Sequence, residues 1–369
     1  MAAVLATMLV GAMPAFGSST EYALLPAIKT DRALEGLLLA VAHDGKRMLI
    51  GGEQGHIFFS DDLGQNWVHA DVPVSLAITS VTFAGNDEAW ATAHDGYLLH
   101  STDNGSTWQV HLTGSDVARL SVGSIEERVA ALQKAVDEAS DEDREDLEWV
   151  LDDTLFALDE ATEAIDNGMT TPLLRVWFAN DNDGFALGAY GVFLRTRDGG
   201  NSWVVDSNRL DNPDNYHLYY IVQSNAGTLL IAGEAGTLLR STDNGEEWQR
   251  IMAPYEGSFF GAVAAGDGSL LTFGLRGNVF RSTDEGATWV AVETGDSRTL
   301  MGGTAGPGGS VYIVGAAGAV LQSKEAGTTF RTIPTEGNRV YSAVTIAPDG
   351  RVVLVGFGGI SFVVGDNNE

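Results

Sequence analysis

One octapeptide, S/T-x-D-x-G-x-x-W with small drift, occurs six times, and a pattern recurring this often dictates a repeat architecture before any single residue is weighed. The copies are Ser60 to Trp67, Ser101 to Trp108, Thr196 to Trp203, Ser241 to Trp248, Ser282 to Trp289 and the degenerate Ser323 to Phe330. Their starts are 41, 95, 45, 41 and 41 residues apart. Four intervals suit one four-stranded blade each, and the fifth is a blade plus about 53 further residues. Each copy reads as a hairpin turn that locks itself: the Asp accepts turn amides, the Gly takes positive φ, and the Trp packs between sheets. Five of the eight tryptophans stand in this position. Asp62, Asp103, Asp198, Asp243 and Asp284 are therefore assigned a structural role rather than a catalytic or metal-binding one. Glu325, which replaces Asp in the sixth copy, should cap less well.

A second repeat fixes the blade count. Seven times an apolar run ends in a small residue, two variable residues and Gly, from Gly52–Gly55 to Gly356–Gly359, as expected of the turn between the second and third strands. The expected fold is all-β, a seven-bladed β-propeller with an inserted α-helical hairpin, over residues 18–369. The last blade lacks a box and a fourth strand, so residues 21–25 are expected to supply its outer edge and close the ring. Residues 1–17 read as a signal peptide, with small residues Ala15 and Gly17 at the cleavage site, and the mature protein is expected outside the cytoplasm, periplasmic or bound to the envelope. No later segment reads as a membrane span.

Within those repeats, the G-x-x-G turn, the third strand and the T-D-x-G-x-x-W box together resemble the photosystem II stability and assembly factor family and its non-photosynthetic bacterial relatives. The resemblance covers nearly the whole chain except the signal region and the insertion. It implies an exported propeller without enzymatic activity that holds membrane-protein subunits during assembly, or serves an envelope transporter. The photosynthetic members carry a marked Arg patch, whereas here acidic residues outnumber basic ones 50 to 21. A formal charge of −29 repels phosphate backbones, so nucleic acid is not an expected partner.

The insertion, expected over residues 120–170, has helical periodicity. Ser124 and Glu127 read as a capping box before a stripe of Ile125, Val129, Leu132 and Val136. Ser140 reads as the cap of a second helix with Leu147, Leu151, Leu158 and Ile165, ending at Asn167-Gly168. From Ser124 to Asn167 there are 16 acidic and 3 basic residues, a net charge of −13. Trp149 and Phe156 lie opposite the Leu stripe, so they are expected to cover either the flank of the propeller or a partner.

Enzyme chemistry leaves little trace. A sialidase-type propeller needs an Arg triad, a Tyr activated by Glu and a further acid, and no informative motif carries them. The seven histidines lack zinc-site spacing, and no phosphate-binding loop leads into a helix. No cofactor or metal is expected. The working surface should be the face holding the second-to-third-strand turns and the connections between blades, which loops make variable. It would present Glu53, His94, Asp95, Tyr190, Glu234, Arg276 and Phe357, with Arg32, Arg298 and Arg339 near the funnel mouth. The leading function is a non-catalytic scaffold for a protein partner, with an envelope membrane complex or transporter in view; the alternative is a glycan-binding or sialidase-like propeller.

Overall fold

The computed structural model describes residues 25–85, 87–335 and 337–363. Among them lie seven antiparallel sheets in chain order, six of four strands and the last of three. In the first blade the strands are Leu38–His43, Met48–Gly52, Ile57–Ser60 and Val68–His69, each hydrogen-bonded to the next. Second strands such as Met48–Gly52 and Leu229–Gly233 are buried at every position, because each is enclosed by a neighbouring sheet on both faces. Fourth strands are short and largely exposed at the perimeter.

The box works as its composition implies. Ser60 Oγ donates to Asp62 Oδ1 at 2.8 Å and accepts the Gly64 amide at 2.8 Å, while Asp62 Oδ1 takes the amides of Gln65 and Asn66 at 3.0 and 2.8 Å. Hydrogen bonds from the Asn66 amide, the Asn66 side chain and the Ser60 hydroxyl hold the Asp62 carboxyl down at about 2. In the sixth copy the Glu325 carboxylate accepts the hydroxyls of Thr328 and Thr329, at 3.2 and 3.3 Å, in place of the shorter contacts to turn amides that Asp62 makes, which matches the weaker cap expected of its longer arm. The box glycine is needed twice over. Gly200 has φ +89°, and a Cβ there would stand 2.2 Å from the Trp90 ring of the preceding blade.

Blades adhere through these boxes in one direction around the ring. Trp108 packs in a cluster with Leu49 of the first blade, Trp203 meets Trp90 edge-on at 5.7 Å, and Trp248 meets Phe185 and Phe193 of the third blade. A staple that sequence reading missed accompanies them. Arg195, 2% exposed, donates to the Gly245 and Asn244 carbonyls of the next box at 3.0 and 2.9 Å, and Arg240 and Arg281 reach the Glu285 and Ala326 carbonyls in the same way. Arg47 and Arg351, from first-to-second-strand turns, bind box carbonyls of the blade that follows each.

The ring closes by packing and backbone contacts between the last blade and the first. Leu37 bridges Phe357, the Gly358 amide donates to the Gly36 carbonyl at 3.2 Å, and Val355 joins Leu38 and Ile50 in one cluster. The strand expected at residues 21–25 lies outside the described residues except for Leu25, which is exposed and in no strand.

The insertion is a helical hairpin, α1 (Gly114–Glu138) and α2 (Arg144–Asp166), and it starts earlier than its periodicity suggested. The capping box is formed by Thr113 and Asp116, not Ser124 and Glu127, because the fourth strand of the second blade ends at Leu112 and the helix begins almost at once. Ser140 is likewise not the second cap: its Oγ bonds Asp143, the residue that precedes α2. The hairpin ends at Asn167 with Gly168 at φ +68°, as its Asn-Gly pair implies. Val117 is buried with Leu173 and Trp203 between the second and third blades, so the base of α1 is part of the propeller core. Among the described residues no helix is long and apolar enough to cross a membrane.

Candidate functional site

The second-to-third-strand turns share one repeated backbone. Gln54, Asp95, Tyr190, Ala235, Arg276 and Ala317 all have φ between +48° and +60°, and each is followed by a glycine that is also left-handed. The glycine lets the next connection approach: a Cβ on Gly55 would lie 1.9 Å from the Val74 carbonyl, and one on Gly277 2.0 Å from that of Asp296. Turns and connections therefore interlock on one face. The residue before each glycine is pushed outward, which leaves Tyr190 65% exposed; in the last blade that place is Gly358, and Phe357, one residue earlier, is 68% exposed.

Several polar residues expected on this face are occupied by their own chain. Glu53 Oε1 accepts the Leu37 amide at 3.0 Å. His94 Nδ1 pairs with Asp95 Oδ1 at 2.6 Å. Arg298 clamps Asp296, with Nε 2.9 Å from Oδ1, and donates to the Ala317 carbonyl; hydrogen bonding to Arg298 in turn lowers the Asp296 pKa. Arg339 reaches the Gly358 carbonyl at 3.3 Å. Arg32 and Arg276 are exposed. Of the three arginines expected at the funnel mouth, Arg298 and Arg339 brace turns and Arg32 is exposed.

What the structure does bring together is a strip of rings that includes three residues not singled out from sequence. Tyr190 meets His217 edge-on at 4.8 Å, His217 meets Tyr219 at 6.1 Å, and Tyr219 meets Phe260 at 5.2 Å. Glu234 sits beside it, with Oε2 3.2 Å from the His217 amide and 3.1 Å from His217 Nδ1. Burial first, and then the Glu234 charge, raise the Tyr219 pKa, which keeps its hydroxyl a neutral donor. Tyr219 and Phe260 hold the same place in successive blades. Each innermost strand has a β-bulge at its second residue, where Leu39, Thr79, Leu174, Tyr219, Phe260, Met301 and Ser342 stand unpaired and half-buried. That position was available in the sequence once the blades are aligned on G-x-x-G, but a bulge leaves no mark in composition.

Beside the strip, the arm and the third blade enclose a cleft of about 500 Å³ whose walls include Ser124, Arg128, Thr154, Tyr190, Val205 and Asn212. The arm's aromatic pair takes no part in it. Trp149 and Phe156 are 71% and 63% exposed, so they do not cover the propeller flank, one of the two outcomes foreseen for them. Aromatic faces, one carboxylate and a cleft make a surface for recognising a polar chain with apolar side groups. Among the described residues no group of three or more His, Cys, Asp or Glu side chains is gathered to hold a metal ion.

Comparison with known proteins agrees with the repeats. A family model described as photosynthesis system II assembly factor YCF48 matches residues 157–306. The photosystem II assembly lipoprotein Ycf48 of Synechococcus sp. (strain CC9902) is 28% identical over 242 residues, 56% of this chain and 72% of the relative. Among solved structures, YCF48 bound to D1 peptide superposes with a TM-score of 0.61 at 15% identity, covering 92% of this chain and 98% of that one. YCF48 from Cyanidioschyzon merolae gives 0.63 at 13%, covering 94% and 100%. The fold is shared with enzymes too: a streptogramin B lyase gives 0.64 at 11%, covering 89% and 93%.

Proposed function

We propose that this chain, a propeller similar to the photosystem II assembly factors, is a non-catalytic scaffold that binds a protein partner on its turn face. The strip Tyr190, His217, Tyr219 and Phe260 with Glu234 carries the reading, since it places half-exposed rings and one carboxylate where the blades open to solvent. Such rings are the side chains that dominate protein interfaces. Export of the mature protein is part of the proposal, on the reading of residues 1–17 as a signal peptide and the likeness to a relative named as a lipoprotein. The partner is then an envelope membrane-protein complex or transporter whose assembly or function the propeller assists.

The same rings would also stack on a sugar, which keeps glycan binding as the second reading. A photo-cross-linking amino acid at Tyr190, activated in intact cells, separates the two. A cross-link to a membrane-protein subunit is expected, with capture of that subunit at least tenfold weaker in Tyr219→Ala/Phe260→Ala protein. Cross-linking only to glycan, or capture unchanged in the double variant, overturns the proposal.

A further inference from the structure

We propose that the outer face of α2 is a docking site for a Lys/Arg-flanked amphipathic helix of a partner protein, which packs on the arm as a third helix. The inference rests on the reading of this protein as a partner-binding scaffold. Its observation is separate from the propeller face.

Leu151 of α2 is buried and Leu147, Leu158 and Ile165 are partly buried, along the stripe that the sequence assigns to the contact with α1. Trp149 and Phe156 lie on the other side, exposed. Seven residues apart, the two rings repeat about every 10.5 Å along the axis, the spacing of residues i and i+7 on a helix laid alongside. Around them stand Glu145, Glu148, Asp152, Asp153, Asp159 and Glu160, all exposed. The only basic residue of α2, Arg144, lies at its start and donates to the Ala139 carbonyl at 3.2 Å. An apolar row framed by carboxylates is complementary to an apolar row framed by ammonium or guanidinium groups.

Charge also rejects the other occupants. A second copy would bring the same anionic face, and anionic lipid or nucleic acid would be repelled. This chain's own ends do not fit: residues 1–24 contain no Lys or Arg, and residues 364–369 add two more acids.

The test uses the mature chain and three 20-residue probe peptides: a Lys/Leu peptide with helical periodicity, the same composition rearranged to alternate, and a Glu/Leu peptide with helical periodicity. Binding is read by calorimetry and by the gain of helical circular dichroism. The helical Lys/Leu peptide is expected to bind, at least tenfold more weakly when rearranged or when the protein carries Trp149→Ala/Phe156→Ala, and the Glu/Leu peptide is expected not to bind. Both rings are exposed, so the double variant should melt as the parent does. Equal binding of the helical and rearranged peptides, or unchanged binding to the double variant, overturns the proposal, since charge alone would then account for it. Tyr219→Ala/Phe260→Ala protein should bind the helical peptide normally, so failure at the propeller face and failure at the arm are read apart.

Discussion

Arg195 shows how much one side chain does between blades. Its guanidinium bonds the carbonyls of Asn244 and Gly245 and the carboxylate of Glu246, at 2% exposure. Removing it leaves buried carbonyls without donors and a cavity at the seam between the third and fourth blades. Arg195→Ala should therefore cost about 3 kcal/mol or more, whereas Arg197→Ala, which loses only an exposed contact to Glu246, should cost under about 1 kcal/mol. Denaturant midpoints of the two variants check this, and equal losses would show that the seam relaxes without the staple. The box aspartates, by contrast, behave as their motif implies. Of the third-strand staples, Arg195, Arg240 and Arg281 stand immediately before a box, a signal readable in the sequence, but nothing local says that their hydrogen bonds go to the next blade.

Helix α1 joins two kinds of structure in one element. Its first turns bury Val117 between blades, while its later turns and α2 carry the acidic surface. Replacing Ser124 to Asn167 with a short Gly/Ser linker should leave the melting temperature within a few degrees, because a long surface insertion adds only modest loop entropy. Val117→Ala in the intact chain should instead cost about 2 kcal/mol, from the lost packing against Leu173 and Trp203. Thermal melts of both proteins decide the matter: a linker variant that melts far below Val117→Ala would make the arm a buttress of the ring. The helical periodicity revealed the hairpin and its end at Asn167-Gly168. It misplaced the start, because residues 114–123 are equally good as helix or as blade connection until the blades are in place around them.

Closing the ring leaves the whole molecule with a formal charge of −29 and a set of boxes whose carboxylates must stay ionised. Asp62, Asp198 and Asp284 are each held at about 2 by turn amides and hydroxyls, below the ordinary 3.8. A carboxyl depressed on folding contributes stability that is complete above the unfolded value and is lost as pH falls through the folded one. Stability should hold to about pH 4 and fall between about pH 4 and 2, even though acidification also relieves the repulsion of the net charge. Urea midpoints at pH 5, 3.5 and 2.5 measure it. A flat or rising profile would mean that relief of repulsion outweighs loss of the caps.

Seven blades, the self-capping turns and the acidic hairpin were determined by the sequence alone, because each depends on residues close together in the chain: an Asp and the amides three and four positions on, a Gly and its own φ, a stripe of Leu and Ile on one helix. The direction of the arginine staples, the strip Tyr190, His217, Tyr219 and Phe260, the pairing of Arg298 with Asp296 and Ala317, and the exposure of Trp149 and Phe156 were decided only by the tertiary structure. Most of these depend on which surfaces meet when seven sheets are forced around one axis. Contacts between blades join residues tens of positions apart, and no local propensity or periodicity encodes the partner.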